Sequence, residues 1–117
     1  MLEEKAKELG RLIGQSPEYQ ALKRSSEGLN DDREAVTLLQ QMETLRGEAQ
    51  QLIQRGENPT PEMEQQLDAM LEKIQSQQAY QRAVAAQENF DKLMMRVNQW
   101  IMDGMKKGAA SPIITLS

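Results

Sequence analysis

The chain contains no cysteine and no histidine. Without cysteine it has no disulfide, no thiolate nucleophile and no thiolate metal ligand. Without histidine it lacks an imidazole ligand and the side chain that ordinarily titrates near neutral pH. These two absences remove the residues on which most hydrolytic, redox and metal-dependent enzymes rely. Aromatic residues are scarce at 3%, with one Trp, one Phe and two Tyr. The core is therefore built from Leu, Ile, Val, Ala and eight Met, a palette that favours helices over sheets. No apolar run approaches the ~20 residues of a membrane span, and the opening MLEEKAKEL is acidic and amphipathic rather than basic and then apolar. A cytoplasmic protein with no membrane association is expected.

What remains, 117 residues with 38% hydrophobic and 27% charged side chains, suits one domain with one core. The net charge of −4 argues against direct gripping of nucleic acid, which depends on neutralising phosphates.

Leu2, Ala6, Leu9 and Ile13 recur at spacings of four, three and four, with Leu12 widening the stripe, which predicts a short helix fading near Gly14. The next residues, Ser16-Pro17-Glu18, form a helix start. The serine oxygen accepts from a free amide, proline at the first helical position loses no hydrogen bond, and the glutamate sits at the positive end of the dipole. Tyr19, Leu22 and Ser26 are expected to face inward from this second helix, which weakens at Gly28. Asn30, Asp31 and Asp32 offer another cap, with Asp31 and Glu34 spaced as a capping box.

A long helix follows. Ala35, Leu38, Met42, Leu45, Ala49 and Leu52 alternate three and four apart, a heptad seam for another helix, flanked by Val36, Leu39 and Ile53. Gly56 is placed to end it before the loop GENPTP. Thr60-Pro61 repeats the start signal, and Met63, Leu67, Met70 and Ile74 continue on one face with Leu71 beside them, so the two segments should form an antiparallel hairpin. The apolar pattern lapses around QSQQAYQ and returns with Ala83, Ala86, Phe90, Leu93, Val97 and Trp100, joined by Met94 and Ile101. Residues 1–106 are read as one helical domain and residues 107–117, KGAASPIITLS, as a mobile tail whose IITL can dock.

Carboxylate neighbours such as Glu3-Glu4, Asp31-Asp32 and Glu62-Glu64 point to different sides of a helix and read as caps and solvated faces. The glutamine-rich faces, including Gln40, Gln41, Gln65 and Gln66, read as uncharged helix surface. The glycines lack the strand-loop-helix setting of a phosphate loop. The basic residues are interspersed with acids, as in ordinary helix salt-bridging. The stretch FDKLMMRVNQWIMDGMKK also has the makings of an interfacial membrane helix, but Asp91 and Asp103 favour a core or subunit face. No catalytic, cofactor-binding or metal residue is assigned.

The apolar seams exceed what slender helices hide alone, so an all-α antiparallel hairpin or bundle of four to five helices, completed by homo-oligomerisation, is expected. Leu38, Met42, Leu45, Leu52, Leu67, Met70, Phe90, Leu93, Val97, Trp100 and Ile101 are the candidate oligomer or partner interface.

The order LGRLIGQSPEYQAL, then DREAVTLLQQMETL with its D-x-x-A-x-x-L-L spacing, then RGENPTPEM, then AQENFDKLMMRVNQWI, resembles the YlbF/YmcA family of small bacterial helical proteins. The resemblance implies an all-helical, dimerising or larger assembly with a regulatory, non-catalytic role. Some relatives act in a complex that influences ribonuclease Y-dependent RNA maturation, and through it competence, biofilm formation and sporulation. Members of that complex are associated with iron-sulfur clusters bound by cysteine; this chain has no cysteine and supplies no such ligand, so no cofactor is expected.

The leading expectation is a self-associating regulatory protein that binds a protein partner. A helical-hairpin chaperone with methionine-lined grooves is the alternative. Replacing Leu93 and Val97 by aspartate is expected to give a soluble monomer or to unfold the chain.

Overall fold

In the computed structural model, which describes residues 1–110, five helices account for nearly all of the described residues. They are α1 (Leu2–Gly14), α2 (Pro17–Asp31), α3 (Arg33–Gln54), α4 (Pro61–Gln75) and α5 (Gln78–Ala109).

Local chemistry sets the helix starts. The Ser16 hydroxyl accepts from the Tyr19 amide at 3.1 Å and the Thr60 hydroxyl from the Met63 amide at 3.2 Å, each followed by proline. Asp32 caps α3 by accepting from the Ala35 amide at 3.0 Å. The expected Asp31–Glu34 box is therefore not used: Asp31 closes α2, and Glu34 accepts from the Gln77 side-chain amide at 3.5 Å. Gly56 ends α3 with φ of +83°; its amide donates to the Ile53 carbonyl at 3.0 Å and that of Glu57 to the Leu52 carbonyl at 2.8 Å, a Schellman turn.

The helices assort into two antiparallel pairs. One arm is α3 against α4; the other is α2 against α5. The Tyr19 and Phe90 rings meet edge-on at 5.7 Å near one end of the second arm, while Asp32 and Gln78 line a common groove near the other. The connections α2–α3 and α4–α5 thus meet at a waist, bridged by the Glu34–Gln77 contact. The result is long and thin, 68 × 36 × 19 Å, with a radius of gyration of 21.8 Å. A compact chain of this length would have about 13 Å. The thickness is about two helix diameters.

The core is correspondingly small. Ala35, Met42, Leu45, Ala49 and Ile74 are buried in the α3–α4 arm, and Ala86 and Val97 on α5. The chain exposes 9419 Å², about 3,000 Å² more than a compact monomer of this mass.

Three expectations need correction. The second helix runs through Gly28 to Asp31, and Ser26 lies exposed on it rather than facing inward. Gly28 costs helix stability of about 1 kcal/mol relative to alanine, which packing of α2 on α5 offsets. The final helix starts at Gln78 and continues to Ala109, so Lys107, Gly108 and Ala109, read as the beginning of a tail, are helical. Ala110 caps the helix, and residues 111–117, including IITL, lie outside the described residues.

Candidate functional site

The charged groups do not converge. Among the described residues no group of three or more acidic side chains is arranged to hold a metal ion. On α1, Glu3 pairs with Lys7 at 2.9 Å and Glu8 with Lys5 at 3.8 Å, both as exposed pairs along one helix surface. Glu18 and Arg96, at 3.6 Å, link the start of α2 to α5. Such exposed pairs contribute at most about 1 kcal/mol. A shallow groove of about 660 Å³ runs between α2 and α5, floored by small residues such as Ala21, Gly28, Ala79 and Ala85 and flanked by Arg24 and Arg82.

The apolar seams divide into three groups. Met42, Leu45 and Val97 are buried within the chain. Leu38, Leu52, Leu67, Met70, Phe90 and Leu93 are half-buried along the two arms. Trp100 and Ile101 are open, at 59% and 44% exposure. The arrangement follows from helix length. The α2 cover ends where Glu18 meets Arg96, whereas α5 continues for 13 residues beyond Arg96, to Ala109.

Four further apolar side chains belong with Trp100 and Ile101 at this end of the molecule or on the helix that leaves it. Met102 and Met105 are more than half exposed on α5, as are Leu2 and Leu12 on α1. The amphipathic stripe of α1 is legible in sequence; that Leu2, Ala6 and Leu12 stay exposed while only Leu9 and Ile13 are partly covered is not, because the stripe of a covered helix reads the same. α1 contains no buried residue, and its main contact is with α2. An isolated helix of 13 residues is marginal in water, so a surface that covers its stripe would stabilise it. The chemistry this end offers is apolar contact, framed by Glu3 and Glu4 on one helix and Lys106 and Lys107 on the other.

A family model described as "Control of competence regulator ComK, YlbF/YmcA" matches residues 2–106. The chain belongs to the YlbF/YmcA family. Curated relatives of this YlbF/YmcA protein include a UPF0342 protein of Streptococcus gordonii, 38% identical over 61% of this chain and 63% of that protein. A UPF0342 protein of Streptococcus mutans is 34% identical over 71% of this chain and 74% of its own length. The match to the S. gordonii protein thus spans less than two thirds of that relative.

Among solved structures, Bacillus subtilis RicA, crystallised in complex with RicF, superposes with a TM-score of 0.81 at 15% identity, covering 92% of this chain and 96% of the other. A DUF964 protein from Bacillus stearothermophilus gives 0.65 at 21% identity, covering 95% and 97%. At these identities the likeness establishes the all-helical fold. Among the described residues, no helix is long and apolar enough to cross a membrane.

Proposed function

We propose that this chain is a non-catalytic regulatory protein of the cytoplasm that self-associates and binds a protein partner, in bacterial RNA processing or developmental control. The observation that carries the reading is the uncovered apolar surface: Trp100, Ile101, Met102 and Met105 on α5, and an amphipathic α1 that contains no buried residue. A family described by control of a competence regulator, and a fold shared with a protein crystallised in a hetero-complex, support a role exercised through protein contacts.

The test is in-cell crosslinking followed by reconstitution of each captured protein with the purified chain. Saturable binding at fixed stoichiometry, lost on Trp100→Asp, is expected. The exposed methionines Met95, Met102 and Met105 favour one alternative, a chaperone that clasps unfolded clients. Non-saturable protection of many unrelated clients from aggregation, with no stoichiometric partner, would establish that alternative and overturn the regulatory reading. Turnover of a substrate abolished by a single carboxylate substitution would overturn both.

A further inference from the structure

We propose that α1 of one copy lies antiparallel along residues 97–109 of α5 in a second copy, and reciprocally, so that two chains exchange their first helices. The inference rests on the self-association reading and specifies its contact.

Three observations converge on it. First, the lengths fit: α1 and α2 together nearly match the 32 residues of α5, yet α2 covers only the part of α5 up to Arg96. Continuing the α2–α5 pairing outward, with Tyr19 against Phe90 and Glu18 near Arg96, brings Ala6 near Met105 and sets Glu3 and Glu4 near Lys107 and Lys106. The apolar stripes then face one another and the acidic first turn of one helix meets the basic last turn of the other.

Second, hydrogen bonds fix the α1–α2 junction, and the main contact of α1 is with α2 rather than with its own chain's α5. The Ser16 hydroxyl donates to the Ile13 carbonyl at 2.6 Å, the Gln20 side-chain amide donates to the Gly14 carbonyl at 2.9 Å, and the amides of Gln15 and Ser16 donate to the Arg11 and Ile13 carbonyls. A second copy can present the complementary face while the junction stays intact.

Third, open apolar surface is available on both helices. A stable interface takes about 800 Å² from each partner. The excess surface of this elongated chain is about 3,000 Å² over a compact monomer, and large apolar side chains are concentrated on the two helices concerned. A two-fold pair buries both copies of each helix in one self-complementary contact.

The absence of native cysteine makes the test clean. Ala6→Cys and Met105→Cys variants, both at exposed positions, are mixed, oxidised and sized by light scattering across a hundredfold concentration range. The expected result is a disulfide-linked species of twice the 13.3 kDa chain mass that needs both variants, and at least a tenfold weaker association for Glu3→Lys/Glu4→Lys, restored by mixing with Lys106→Glu/Lys107→Glu. A dimer by mass in which the two introduced thiols never link would overturn this contact and leave self-association standing. A chain that stays monomeric at every concentration would overturn both. In that case, internal closure of the Ala6→Cys/Met105→Cys double variant would name its own α1 as the occupant.

Discussion

The two arms are built from the same material and end differently. In the α3–α4 arm the heptad seam is spent inside the chain: Ala35, Met42, Leu45, Ala49 and Ile74 are buried, and a Schellman turn at Gly56 closes the far end. In the α2–α5 arm only Ala86 and Val97 are buried, and α5 outruns its cover into a run of exposed Trp100, Ile101, Met102 and Met105. An amphipathic stripe becomes core where a partner helix lies against it. Where the partner stops early, the same pattern becomes a surface.

The largest effect is expected from a charge placed in the sparsely filled arm at the more buried of its two sealed positions. Val97 is 3% exposed, and Val97→Asp leaves an unpaired carboxylate in an apolar site. The expected loss exceeds about 4 kcal/mol, enough to unfold a chain with so small a core. Circular dichroism should show a collapse of helix content. Of the two outcomes expected from sequence for aspartate at Leu93 and Val97, a soluble monomer or an unfolded chain, the burial of Val97 selects the second.

In the closed arm the matching change is Ile74→Ala. Ile74 is 2% exposed, the largest of the fully buried side chains, and its truncation should cost about 3 kcal/mol. Urea unfolding monitored by circular dichroism would show it as a lowered midpoint. A loss below about 1 kcal/mol would mean that the arm is too loose to hold a cavity, and the contrast between the arms would dissolve.

Gly56→Ala tests the closure of that arm. At φ of +83° a side chain is strained, while a Cβ there meets nothing within 4 Å, so the expected cost of about 1 kcal/mol is purely conformational. Thermal melts should register it as a shift of a few degrees.

The elements legible in sequence are those whose cause is local. Ser16-Pro17, Thr60-Pro61 and Gly56 each satisfy or free backbone groups within one turn, and each acts where its residue type says it should. Gly28 misleads because its helical state is held by α5, which is distant in sequence, and no local pattern reports that. The seams are legible as seams but not as inside or outside. Met42 and Trp100 both sit on heptad-spaced apolar stripes, yet one is 7% exposed and the other 59%, because α4 lies along the first while the second falls past the end of α2.

The smallest effect on the isolated chain is expected at Trp100. Trp100→Asp replaces a side chain with 59% of its surface open, beyond the cover of α2, so little burial is lost and stability at high dilution should change by no more than about 0.5 kcal/mol. If the uncovered end is an interface, the same substitution removes its largest aromatic anchor and should weaken association by at least tenfold, since buried tryptophan contacts commonly carry about 2 kcal/mol or more. Unchanged stability with lost association separates surface from core in one residue. A Trp100→Asp chain destabilised by several kcal/mol when dilute would mean that the ring is held by its own chain, and the two arms would then differ in degree only.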